Sequence, residues 1–188
     1  MVMRGWGYKF DSGGAPPASG ALTLIESVEL ASAVASITFA DIPQDYKHLL
    51  LMGVFKGDVA GTNTVLALRA NGDSGTNYDY SDLGGNGSAV YAAQATGTTQ
   101  PQVGQVAGQG APANQVGGMH IFILDYTDTN HKKNGHGQST LTFESNNNVY
   151  MEQFFWNWRN TSAITSLLLF GQSGNLVAPT RVELYGIS

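Results

Sequence analysis

The sequence contains no cysteine, which excludes disulfides and thiolate metal sites and leaves the compartment of folding undetermined. Charge is also scarce. Asp, Glu, Lys and Arg make up 12% of the residues, against roughly 25% in ordinary globular proteins. The nine basic residues are scattered, with Lys132 and Lys133 the one adjacent pair, and the formal net charge is −5. Affinity for a phosphate backbone comes from clustered Lys and Arg, so no nucleic-acid partner is expected. Long apolar runs are missing too. Leu49 to Met52 and Leu167 to Phe170 fall far short of the ~20 residues that cross a bilayer, so no membrane insertion is expected. Met1 to Phe10 lacks the apolar block of a signal peptide, and the expectation is a soluble protein made without a secretion signal.

What is abundant is glycine, 24 of 188 residues, together with Asn, Gln, Ser and Thr. A weakly charged, amide- and hydroxyl-rich surface suits a protein covered by neighbouring subunits. Residues 11–20 read DSGGAPPASG, a stretch that holds neither helix nor ladder and divides an N-terminal arm (1–20) from one domain (21–188). In the arm, Trp6, Tyr8 and Phe10 alternate with Gly5, Gly7 and Lys9. That period of two predicts an extended segment with one apolar face, docking on a partner subunit.

From Leu22 onward, short β-branched and aromatic runs alternate with turn residues, and no window has a helical period. The pattern predicts an all-β fold, an antiparallel sandwich, with strands over Thr23–Leu30, Ala35–Phe39, Leu49–Phe55, Thr64–Ala70, Tyr78–Leu83, Ala89–Ala93, Gly118–Asp125, Gln138–Glu144, Tyr150–Trp158, Ile164–Phe170 and Arg181–Tyr185. Turns are expected at Ile42–Asp45, Asn71–Gly75, Gly84–Gly87, Asn146–Asn148 and Ser173–Asn175, all rich in residues that accept positive φ or form Asx turns. Gln94 to Gly117 offers little to bury and reads as a long outward loop bearing Gln100, Gln102, Gln105 and Gln109, with at most an edge strand near Val103–Val106.

The blocks SITFADIPQDYKHL (36–49), LRANGDSGTNY (68–78), GGNGS (84–88), IFILDY (121–126), WRNTSAITSL (158–167), SGN (173–175) and LYGI (184–187) resemble those of a family of bacteriophage virion proteins, over about residues 22–188. The resemblance implies a jelly-roll-type β-sandwich of the kind carried by tail-associated or capsid-surface proteins. Its shared blocks are turn and core signatures, so it brings no catalytic or ligand residues.

Gly72-Asp73-Ser74-Gly75 matches the string around the nucleophile of chymotrypsin-like proteases. Their chain order of His, Asp, Ser leaves His48 as the one available base, and its surroundings are not theirs, so an Asx-rich turn is the expected reading. His120, His131 and His136 invite a metal; the Lys132–Lys133 pair beside the last two opposes a cation, so they read as a solvated loop, and His120 as a half-buried sheet residue. Asp58, Asp73, Asp79, Asp82, Asp125 and Asp128 lack the acidic alternation of a calcium-binding hand. No catalytic residue, metal or cofactor is therefore expected. Along 154–158, Phe154, Trp156 and Trp158 share one strand face and Phe155 takes the other. Core is the favoured reading of the first face, and the alternative is an exposed aromatic surface of Trp156 and Trp158 rimmed by Arg159, for sugar or subunit contact.

The functional expectation is a non-enzymatic virion protein assembled in the host cytoplasm. It is an oligomeric, fibre-like tail appendage meeting the host, bound to other virion proteins through its arm, with a trimer favoured by analogy and host glycans as a further partner. Two alternatives are a head decoration protein cementing the capsid through the same arm, and a lectin-like carbohydrate-binding module.

Overall fold

A computed structural model describes residues 22–143 and 148–188, and all the regular structure among them is β-strand. The strands are β1 (Thr23–Glu29), β2 (Ile37–Phe39), β3 (His48–Phe55), β4 (Asn63–Ala70), β5 (Tyr78–Gly85), β6 (Val90–Thr98), β7 (Gln102–Ala107), β8 (Gly117–Leu124), β9 (Lys133–Phe143), β10 (Asn148–Trp158), β11 (Leu167–Gly171) and β12 (Arg181–Ile187). The aromatic arm, with Trp6, Tyr8 and Phe10, and residues 146–147 of the expected Asn turn lie outside the described residues.

The strands form two antiparallel sheets, ordered β1-β12-β3-β8-β9-β10-β5-β6 and β2-β11-β4-β7. Taken apart from the rest, β1-β12-β3-β8 facing β2-β11-β4-β7 is the strand order of an eight-stranded jelly roll. Two excursions extend one of its sheets. The hairpin β5–β6 leaves between β4 and β7, the hairpin β9–β10 between β8 and β11, and together they add four strands beside β8. The chain is thus an antiparallel β-sandwich of jelly-roll type with one enlarged sheet.

Alternation explains the core. Leu49, Leu51 and Phe55 of β3, Met119, Ile121 and Ile123 of β8, Leu66 and Leu68 of β4, and Leu167 and Leu169 of β11 all point between the sheets. Most residues pointing outward from the same strands stay partly exposed, Leu50 and Ala67 being buried exceptions. Phe154, Trp156 and Trp158 are 0%, 3% and 1% exposed, which makes that face core and rules out an exposed surface of Trp156 and Trp158. Arg159, just beyond, is exposed and pairs with Asp79, its Nε donating to Oδ2 at 2.9 Å.

Several turns follow their sequence signals. Asn71 and Gly72 have positive φ (51° and 66°), and Asp73 Oδ1 accepts from the Gly75 amide at 2.8 Å. The Ile42–Asp45 corner is held by Gln44, whose amide donates to the carbonyls of Ile42 (2.8 Å) and Ile164 (3.1 Å). Tyr126 closes the same corner with its hydroxyl on the Pro43 carbonyl.

The stretch from Gln94 to Gly117 departs from the expectation of an outward loop. β6 continues to Thr98, and β7 pairs with β4. Gln105 is buried and accepts from Asn63 Nδ2 at 2.8 Å; Gln100 accepts from Arg69 at 2.9 Å; Gln102 is half-buried; Gln109 alone of the four is exposed. The reason is Gly104. Its φ of 113° bulges the strand, and an added Cβ would lie 2.7 Å from Ser139 Cβ, so the backbone of β7 can settle closely on β9. Small residues here bring strands together, whereas in the sequence they read as having nothing to bury.

β9 also begins earlier than expected, at Lys133, so Lys133 and His136 lie on a strand. Lys133 is fully buried and donates to the carbonyls of Asp128, His131 and Thr161, the last two at 2.9 Å. His131 and His136 are both exposed, but His136 stands on the strand, and His131 lies in the loop with its Nδ1 3.2 Å from Asp128 Oδ1. The inward positions of β9 next to the aromatics are Gly135 and Gly137, because the rings of Trp156 and Phe154 lie over them. A Cβ at Gly137 would stand 2.1 Å from the His120 carbonyl oxygen and 2.6 Å from Phe154 Cζ. Gly137→Ala is therefore expected to lower stability by about 2–3 kcal/mol through overpacking. Gly118→Ala, whose Cβ meets nothing closer than 3.4 Å, serves as the control and should shift the urea midpoint little; equal midpoints for the two variants would contradict the packing described.

Candidate functional site

The outward face of the enlarged sheet carries the most distinctive chemistry on the molecule. Register places Tyr185, Leu50, Phe122, His136, Phe155, Ser81 and Gln94 in one row across seven strands. Phe122 stacks on His136 with centroids 5.5 Å apart, His136 meets Phe155 at 6.2 Å, and His120 packs edge-on against Phe122 at 5.8 Å. This is a cross-strand aromatic ladder, whose pairs reinforce one another on a single face. His120 and His136, singled out for a metal, thus come together through a phenyl ring.

A second row runs beside the first, with Gln138, Gln153, Leu83 and Ala92, and a third with Thr140, Met151, Gly85 and Val90. Here the two hairpins leave a shallow apolar trough bordered by Leu83, Gly85, Val90, Gln138, Thr140 and Met151. Val90 is 82% exposed, Met151 63%, Phe155 57% and Leu83 52%. Val149 stands outward next to them. These three rows of the hairpin extension contain no Asp, Glu, Lys or Arg; the first ion pair, Arg159 with Asp79, lies at their far end. Five of the eight large hydrophobic side chains exposed among the described residues sit on this extension, and scattered single exposures would need no explanation where a contiguous patch does. A smaller depression opens beside Phe155, bordered by Ser81, Gln94, Asn134 and Asn157.

Behind the trough, on the inward face, two acids are buried side by side. Asp82 and Glu152 are each 4% exposed. Glu152 Oε2 accepts from Ser139 Oγ at 3.3 Å, while Asp82 Oδ1 and the Tyr91 hydroxyl have no hydrogen-bond partner. Burial, joined by the neighbouring Asp82 charge, pushes Glu152 up to about 7, and burial raises Asp82 as well.

The protease-like string has a different setting. Ser74 is exposed on its turn, and Asp73 is committed to structural contacts, with Oδ2 accepting from Asn77 (2.9 Å) and from Trp158 Nε1 (2.7 Å). The Trp158 bond is the first cause holding the Asp73 carboxyl below its usual range. His48 turns its Nδ1 to the Asp125 amide at 2.9 Å. Among the described residues, no three His, Cys, Asp or Glu side chains are grouped as a metal site would need.

Fold and face together define a jelly-roll-type sandwich with a broad, uncharged, aromatic-bearing sheet surface. No protein-family model matches the chain, and no curated protein matches it.

Sequence reasoning found the aromatic-rich strand and favoured core for Phe154, Trp156 and Trp158, but gave the opposite face, with Phe155, no role. It passed over Met151 on the same strand, and Phe122, Leu83 and Val90, which lie on three other runs and meet it only through the register of non-local strands. The available signal was Phe155, opposite in phase to the tryptophans. A large apolar side chain on the outward phase of a half-buried strand marks contact surface.

Proposed function

We propose that the chain is a non-enzymatic structural protein of a bacteriophage virion, an oligomeric surface appendage that meets the host. The observation that carries this reading is the continuous uncharged face of the hairpin extension, with Leu83, Val90, Val149, Met151 and Phe155 exposed on it. A folded chain this poor in charge gains little from leaving such a face in water, and covering it with protein removes apolar area at about 25 cal/mol per Å². The resemblance of the corner and core blocks to phage virion proteins supplies the particle, and the low overall charge suits dense packing among neighbours.

The test is copy number in purified phage particles by quantitative mass spectrometry. A few dozen copies or fewer are expected for an appendage; hundreds would transfer the protein to the head as a decoration subunit, and none would overturn the virion reading. Deleting residues 1–20 is expected to leave a folded domain that is no longer incorporated.

A second reading draws on the depression beside Phe155. An exposed ring with Gln94, Asn134 and Asn157 amides around it is the chemistry that stacks on and hydrogen-bonds a sugar. The Phe122–His136 stack covers ring faces with one another and leaves Phe155 as the ring with a face to offer. If a glycan binds here, Phe155→Ala abolishes retention on a glycan array while the melting temperature is kept; retention that survives the substitution would sink this reading.

A further inference from the structure

Resting on the proposed role as an oligomeric surface protein, we infer that the trough between the two hairpins receives the aromatic segment Trp6–Phe10 of a second copy of this chain. The trough has an apolar border, Leu83, Val90 and Met151, a glycine floor at Gly85, and polar sides at Gln138 and Thr140. Its exposed border carries no charged side chain, the buried Glu152 lining it from beneath, so its occupant must bring apolar area. Within the sequence, Trp6, Tyr8 and Phe10 are such a set: three rings at alternate positions separated by Gly7 and Lys9. Bound as a strand, they would repeat on one side every ~6.6–6.8 Å, a spacing that matches residues two apart on the sheet beneath.

Chain length argues for a second copy. The described structure begins at Leu22, next to β1, at one edge of the enlarged sheet, while the trough lies by β5 and β10 near the other edge. Thr23 pairs with Gly186, and the trough lies five residues farther along the strands and five to six strands across. At about 4.8 Å per strand and 3.3 Å per residue the separation is roughly 30 Å. The residues between Phe10 and Leu22 are rich in Gly, Ser and Pro, and a random-coil chain of that composition and length has a typical span of about 19 Å. Reaching the molecule's own trough would stretch the linker well beyond that typical span; a neighbour's trough imposes no such requirement.

Area agrees. Three aromatic side chains bury roughly 450–750 Å². With complete burial and an equal area covered on the sheet, the upper limit for each seated arm is roughly 900–1,500 Å², which reaches the range of specific interfaces.

The experiment uses the full chain with p-benzoylphenylalanine at position 8, mixed as isotopically heavy and light copies and irradiated. Heavy-to-light cross-links from position 8 to Met151 or Val90 are expected; links only within one copy, or to another surface, would overturn the inference. Sedimentation is the second arm. The wild type is expected to sediment above the 19.9 kDa monomer. Met151→Lys, and separately Trp6→Ser with Tyr8→Ser and Phe10→Ser, should each weaken association at least ~tenfold, with no further loss on combining them. Because Met151 is exposed, unchanged melting temperature confirms that the fold is kept. A monomeric wild type, or an oligomer indifferent to Met151→Lys, would refute arm docking. The virion reading fails separately, by absence of the protein from particles whatever its solution state.

Discussion

Trp158→Ala is expected to destabilise the protein by roughly 4 kcal/mol, because it opens a cavity and takes the indole donor from a charged acceptor at once. Trp158 is 1% exposed, its ring lies parallel to Tyr78 with centroids 6.4 Å apart, and its Nε1 donates to Asp73 Oδ2 at 2.7 Å. Tyr78 completes the unit: its hydroxyl accepts from the Ala70 amide at 3.0 Å and donates to the Asp73 carbonyl at 3.1 Å. Since β4 belongs to the small sheet and β5 and β10 to the large one, these three side chains fasten the chain where it crosses between sheets. Trp158→Phe keeps most of the packing and removes the donor, and should lose about 2 kcal/mol. Asp73→Ala should lose a similar amount, and the double variant less than the sum, because both substitutions break one bond. Urea unfolding of the four proteins checks this. Additive losses for Asp73→Ala and Trp158→Phe would show that the bond contributes nothing.

That unit also marks how far the sequence could be read. Its turn, Asn71 to Gly75, was legible because Asn, Gly and Asp announce left-handed backbone and Asx capping locally. The burial of Trp158 was legible as a phase, shared with Phe154 and Trp156. That Asp73 receives an indole N–H from residue 158 was not, since 85 positions of chain separate the partners. The same divide runs through the whole fold. Most strand positions follow from period-two runs, while the division into a jelly roll and a four-stranded extension depends on which distant strands pair. Lys133 illustrates the cost of local reading: next to Lys132 and between two histidines it looked solvated, yet three carbonyls gathered from 128, 131 and 161 hold its ammonium inside. Glycine misled in the other direction. At 104, 135 and 137 it signals strands and rings pressed together rather than loop. The uncharged outward face was the least legible feature, because its members come from β5, β6, β8, β9 and β10 and become neighbours only through register.

The buried pair Asp82 and Glu152 sets the second large effect, a loss of stability on the alkaline side. An exposed glutamate titrates near 4.5, and Glu152 is pushed up to about 7 in the folded protein, first by burial and then by the Asp82 charge. Below pH 4.5 the carboxyl is protonated in both states and no penalty arises. Between 4.5 and about 7 the unfolded chain has released the proton that the folded chain still holds, so stability falls as pH rises through this window. Above about 7 the folded protein carries the buried charge and the loss is complete, on the order of 3 kcal/mol. The raised Asp82 acts in the same direction. Asp58, Asp73, Asp79 and Asp128 are lowered instead, so their stabilisation is present above their exposed value of 3.8 and lost only as pH falls below it. The two effects therefore occupy separate ranges. Glu152→Gln removes the charge, keeps an acceptor for Ser139, and brings an amide donor beside the partnerless Asp82 Oδ1. It should flatten the stability profile between pH 4.5 and 8 and raise the urea midpoint at pH 8 above that of the wild type. Equal slopes for the two proteins across that window would mean that Glu152 reaches water when it ionises, and that the interior behind the trough is wetter than its burial implies.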